Sequence, residues 1–225
     1  MSDKIYKLEI DPAILKLLGP SLYTNIYYVL AELIANAWDA DAKNVYIIDK
    51  GTSIIVEDDG IGMSYSQGGI NKYLSVAEET RTKEEDSKTI GNRMKMGRKG
   101  IGKLSALAVS PNVSILTVSN GEKSGFILSR EVPKDGLLKP ISEDLIVFEK
   151  IDNHGTSIHM PNPEYKLNKG LDVIKKNLVK MFPVISEDFK IHIIRGEHSR
   201  IIDSFDTNII KELAAIIAIG NEYKI

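Results

Sequence analysis

A series of short, strand-length apolar runs joined by turn residues, set behind one long apolar helix, limits the folds open to this chain. Residues 45–49 and 53–56 flank Lys50-Gly51, the pattern of a hairpin. Residues 113–119, 125–129, 144–149, 156–160 and 190–194 read as further strands. Ahead of them, Leu22, Ile26, Val29, Leu30, Leu33, Ile34 and Ala37 recur at helical spacing through Trp38, and Ser21, after Pro20, is placed to cap that helix. Shorter helices are predicted around 70–77, from Ile101 to a stop before Pro111, and over 168–182 with Val173, Ile174, Leu178 and Met181 on one face. A last apolar helix is expected at 209–219. Helices beside hairpin-linked strands predict an α+β chain, a two-layer α/β sandwich, in preference to a doubly wound parallel sheet.

From 64 to 98 the apolar pattern dissolves into glycines, polar residues and a mixed-charge run, which reads as a long mobile loop. The 225 residues, 43% of them hydrophobic, suit one large domain over 1–200, with 201–225 as a helical extension or the start of a linker. A net charge of −2 leaves no global basic footprint, so nucleic-acid binding is not indicated for this piece. There are no cysteines, which excludes disulfides and thiolate-bound metals. No run of about 18 apolar residues is present and residues 1–12 lack a signal-peptide core, so a cytoplasmic protein without membrane contact is expected.

Three segments carry chemistry. On the first helix, Glu32, Asn36 and Asp39 share an arc of about 60° beside the apolar face. Glu32 is the only charged residue between Ser21 and Trp38, and a lone carboxylate there is costly unless it is paired or hydrated for a purpose. Next, Glu57-Asp58-Asp59-Gly60-Ile61-Gly62-Met63 follows a strand directly. An acid at a strand end, with glycines that admit a flat ligand to the backbone, can accept a hydrogen bond from an exocyclic amine. Third, Gly97-Arg98-Lys99-Gly100-Ile101-Gly102-Lys103 opens a helix, where exposed N–H groups and the helix dipole favour phosphate. This stretch also fits part of a Walker A loop, but Leu104 stands where a magnesium-binding Ser or Thr belongs, and residues 92–96 do not read as a buried strand. Gly155-Thr156 at the start of a strand is a weaker, fourth signal.

Together and in this order, the four segments resemble the motifs of Bergerat-fold ATPases, the family of gyrase B subunits, heat-shock chaperones, histidine kinases and MutL-type repair proteins. Residues 32–40 look like the N box, 58–63 like the DxGxG box and 97–103 like the GxxGxG box. The resemblance covers about 5–195. It implies a mixed, mostly antiparallel sheet covered by helices on one face, with ATP and Mg2+ as ligands and a lid over about 64–103. Glu32 would be the general base, and Asn36 the magnesium ligand. Asp58 would read the adenine amine with Thr156 in support, and Gly60, Gly62 and Met63 would border base and ribose. Lys99, Gly100, Ile101, Gly102 and Lys103 would wrap the phosphates, and Asp39 would support the pocket from behind.

Glu32 and the Asp39-Ala40 pair look closest to the chaperone, MutL-type and MORC-type branch, in which ATP closes the lid and drives homodimerisation. A non-hydrolysing ATP sensor and, less favoured, a histidine-type kinase are the alternatives. His154, His159, His192 and His198 all fall late, without metal-ligand spacing, and read as structural or surface residues. Hydrolytic members usually receive a phosphate-contacting lysine from a following domain. The chain stops at Ile225, so slow turnover by the domain alone and a downstream domain or partner protein are expected.

Overall fold

A computed structural model describes residues 4–8, 25–75, 87–97, 102–131, 133, 135–182 and 188–203. In chain order its elements are β1 (Tyr6–Lys7), α1 (Ile26–Asp39), β2 (Asn44–Asp49), β3 (Ser53–Asp58), α2 (Gly69–Leu74), a 3-10 helix (Gly102–Ala108), β4 (Asn112–Ser119), β5 (Glu122–Ser129), β6 (Leu137–Pro140), a 3-10 turn (Glu143–Leu145), β7 (Gly155–Pro161), α3 (Leu171–Met181), β8 (Lys190–Arg195) and β9 (His198–Ile202). The strands join in one sheet, in the order β1-β6-β5-β4-β7-β3-β2-β8-β9. Neighbours are antiparallel except β2 and β8, which run parallel from Asn44 opposite Lys190 to Asp49 opposite Arg195. The expected mixed, mostly antiparallel α/β sandwich is therefore the observed fold.

α1 forms because Ile26, Val29, Leu30, Leu33, Ile34 and Ala37 make one apolar stripe, and all are buried. Each large side chain so buried contributes about 1.5–3 kcal/mol against exposure. Its N-cap is Asn25, whose side-chain oxygen accepts from the Tyr27 N–H, and not Ser21, which lies outside the described residues. Helix geometry ends at Ala40, and Asp41 takes a left-handed φ of 58° that turns the chain into β2. β2 and β3 form the predicted hairpin, with Gly51 at φ 81° in the turn. Along β3, Ile54 and Val56 are buried in the core, and Asp58 follows at the same period of two. Glu57 faces the other side of the sheet.

Several expectations need correction. Residues 144–149 are not a strand. A short 3-10 turn leads into an irregular strap, with Ile146 buried, Leu145 and Val147 exposed, and the Glu149 and Lys150 N–H groups donated to the Glu57 carboxylate. The strand of this region is β6, just before it. The short helix expected before Pro111 is present as the 3-10 helix Gly102–Ala108, and Ile101 lies outside the described residues. On α3, Val173 is exposed, while Leu171, Ile174, Leu178 and Val179 are buried. The apolar helix expected at 209–219 lies outside the described residues. No described helix is long and apolar enough to cross a membrane.

Candidate active site

α1 presents Glu32, Asn36 and Asp39 along one edge of its apolar stripe, all partly accessible. Glu32 packs directly on Gly102, at the start of the 3-10 helix: a Cβ added there would collide with the Glu32 carboxylate. Partial burial raises the proton affinity of Glu32 above the ordinary carboxylate value. One turn on, the Asn36 amide nitrogen is buried with no hydrogen-bond partner among the described residues. Another turn on, Asp39 accepts from the Met96 N–H at 2.7 Å and the Gly97 N–H at 2.9 Å. Both ends of the glycine loop, Gly97 and Gly102, therefore rest on carboxylates of one helix.

The second wall is a rung across three strands. Asp58 on β3 lies opposite Thr156 on β7, which lies opposite Thr117 on β4. Directly opposed residues share a face, so these three side chains stand in a row on the helix-covered side. Asp58 accepts from the Gly60 N–H at 2.9 Å. Desolvation, reinforced by Asp59 and Glu57, pushes its carboxyl up to about 7, against the lowering effect of the Gly60 bond and of His154. The loop after Asp58 is held by its backbone. The Ile61 N–H donates to the Ala40 carbonyl, the Ser119 hydroxyl to the Ile61 carbonyl, and the Met63 N–H to the Thr117 hydroxyl. Gly62 has a φ of 67° and lies against the Val118 carbonyl, so only glycine fits. Asp59 serves the fold: it accepts from the Lys43 and Asn44 N–H groups at 2.7 Å each and from the Asn44 amide at 2.8 Å.

Part of the segment expected to be loose is docked. Residues 87–97 fold back on themselves, with Thr89 bonded to Arg93 and Lys95 to Ser87 through the backbone. Asp41 accepts from the Thr89 hydroxyl and from the Gly91 N–H at 2.8 Å, and Trp38 donates to the Met94 carbonyl at 2.9 Å. The Arg93 guanidinium lies over the Trp38 ring, 4.7 Å from its centroid, and donates to the Ala42 and Asp188 carbonyls. A loop rich in glycine and charge is thus fixed, over these residues, by backbone bonds to the end of α1.

Of the residues singled out in the sequence, Glu32, Asn36 and Gly102 come together on one side, and Asp58, Gly60, Gly62, Met63 and Thr156 on the other. Lys103 points elsewhere, its ammonium on the Ser75 carbonyl at 2.6 Å and the Lys72 carbonyl at 3.3 Å, where the end of α2 favours a cation. Lys99, Gly100 and Ile101 lie outside the described residues. Sequence reasoning missed Thr117, whose hydroxyl also donates to the Gly155 carbonyl at 2.9 Å. A threonine inside the apolar run Ile115-Leu116-Thr117-Val118 was its signal. His154, read from the sequence as a structural or surface residue, has its Nδ1 2.8 Å from the Gly60 carbonyl oxygen.

A sandwich with one helix that sets a glutamate against Gly102 and carries an asparagine one turn on, facing a half-buried aspartate at the end of a strand, defines a nucleotide-binding ATPase domain. The family described as histidine kinase-, DNA gyrase B-, and HSP90-like ATPase matches residues 23–156, and the chain belongs to it. Relatives include a putative type II restriction enzyme, HgiDII, of Herpetosiphon aurantiacus, 29% identical over 86% of this chain and 32% of its own length. The chaperone protein HtpG of Sulfurovum sp. is 26% identical over 65% of this chain and 26% of its own. HtpG of Legionella pneumophila strain Lens is 30% identical over 64% and 26%. The chain spans a third or less of the length of these relatives.

Proposed function

We propose that the chain is a magnesium-dependent ATP hydrolase domain whose nucleotide state closes a lid, gates homodimerisation and switches an attached or associated activity. The contact between Glu32 and Gly102 carries this reading. It sets a carboxylate of raised proton affinity against the glycine loop, where a general base for water would have to stand. Asp58 would read the adenine amine, and Thr156 would support it from the next strand. The phosphates would lie along the loop from Gly97 to Gly102, with Lys99, Gly100, Ile101 and, once released from α2, Lys103 as further contacts.

Magnesium suits this donor set. The Asn36 amide nitrogen has no protein partner among the described residues, and the oxygen of the same group would supply one ligand. Among the described residues no group of three acidic, histidine or cysteine side chains could cage an ion, so phosphates and water would complete the shell, as magnesium prefers. Bound there, the ion would offset negative charge on the phosphates.

Incubation with ATP and magnesium tests the function, with phosphate followed both free in solution and on the protein. Free phosphate is expected. Label retained on the protein would favour the kinase alternative, and ATP binding without release of phosphate would favour the sensor.

Asp39 gives a separable prediction, because it bonds the start of the phosphate loop and not the adenine wall. Asp39→Ala should weaken ATP by about tenfold or more, from the loss of charged hydrogen bonds, while adenosine binds as before. Calorimetry with both ligands decides it. Equal losses for ATP and adenosine would show that Asp39 holds the whole fold of the pocket.

A further inference from the structure

The geometry points to His154 as a positioning residue for the adenine-facing loop, an inference that rests on the ATP-site reading above. The loop from Gly60 to Met63 is suspended by its backbone: Ile61 from α1 and Ser119, Met63 from Thr117 on β4, and Gly60 from His154. His154 is the anchor that arrives from the third side, the approach to β7. The Gly60 carbonyl can only accept, so the ring proton sits on Nδ1 and donates across 2.8 Å.

A single hydrogen bond positions a loop only if its own base is fixed, and here it is. Glu57, on the far face of β3 and almost fully buried, accepts from the Lys150 N–H at 2.8 Å and from the Glu149 N–H at 3.1 Å. The Glu149 carboxylate pairs with Lys50 in the β2–β3 turn at 2.7 Å. Ile151 is buried, and Gly155, at φ 136°, is pressed so closely on the Asp58 carbonyl that no side chain fits. The short connection between these points, with His154 next to its end, is held against β3 at both ends, by the Glu57 carboxylate and by the Asp58 carbonyl. Asp58 and Glu57, adjacent in sequence, thus act in sequence: one faces the ligand, and the other fixes the strap that carries His154 to the ligand's loop.

This role predicts a base-dependent defect. His154→Ala should weaken adenosine, ADP and ATP by one common factor, about threefold to tenfold, as loss of one hydrogen bond would. Turnover at saturating ATP should be unchanged, so KM rises and kcat does not. His154→Asn places an amide N–H near the Nδ1 position and should recover most of the affinity, whereas His154→Gln, whose amide reaches the Nε2 position, should not. Calorimetry with the three ligands on wild type and the three variants makes the test. If His154→Ala binds adenosine like wild type, or if Asn and Gln behave alike, the assignment is overturned. If the wild-type chain binds no adenine ligand, the ATP-site reading falls first and this inference with it.

Discussion

Glu32→Gln is expected to lower ATP turnover by roughly 10²–10⁴-fold, the range for loss of a general base, while ATP affinity stays near that of the wild type. Glutamine keeps the length and packing of the side chain against Gly102, so the contact that supports the loop survives. What disappears is a carboxylate able to take a proton from water. Burial has already raised the proton affinity of Glu32, which moves it from a weak base toward one suited to neutral pH. Phosphate release under single-turnover conditions, beside calorimetry on the same preparation, separates the two effects. Parallel loss of binding and turnover would recast Glu32 as a structural residue of the loop.

Asp58→Asn should cost ATP about tenfold to more than a hundredfold in affinity, from a charged hydrogen bond of roughly 1.5–3 kcal/mol, with the fold retained. The same residue gives the site a pH dependence whose sign follows from its environment. Its carboxyl is pushed up to about 7 in the free protein, so on acidification it takes up a proton well before an ordinary aspartate would. The adenine amine favours the ionised acceptor. Wild-type affinity should therefore be full above that midpoint and decline as pH falls through it. For folding the sign is opposite: a raised carboxyl makes protonation favour the native state, so Asp58 destabilises the free protein at alkaline pH and less so below about 7. Affinities measured from mildly alkaline to mildly acidic pH check the first statement and unfolding free energies over the same range the second, each on wild type and Asp58→Asn. A variant with unchanged affinity, or with the wild-type pH profile, would remove Asp58 from the site.

Much of this arrangement is legible in the sequence where chemistry and periodicity are local. α1 announces itself by its stripe, the β2–β3 hairpin by Lys50-Gly51, and the order of the glycine motifs brings Glu32, Asn36 and Asp58 into one family pattern. What escapes is set by contacts between distant residues. β1 and β6 are too short to show a period, and the exposed β9 has little apolar alternation to detect. The strap mimics a strand because Leu145, Ile146 and Val147 are apolar, yet only Ile146 finds the core. Its backbone is satisfied by Glu57, a residue some 90 positions earlier. The docking of 87–97 rests on backbone N–H groups, which carry no sequence signal, meeting Asp39 and Asp41. Thr117, on β4, and His154, just ahead of β7, likewise meet the loop only through the fold.

The mounting of Glu32, Asn36 and Asp39 on α1 has a consequence for how this stretch of chain can vary. The three residues stand at fixed intervals along a helix that turns about 100° and rises about 1.5 Å per residue. A single residue inserted between Glu32 and Asp39 would swing one group about a quarter-turn or more from the other, and deletion would do the same in the opposite sense. The proposed base would then part from the proposed metal ligand, or both from the carboxylate that holds Gly97, in one step. Side chains on the buried stripe can be exchanged for others of similar volume, whereas the count of residues cannot change. Between Glu32 and Asp39 the chain can drift in composition but not in length.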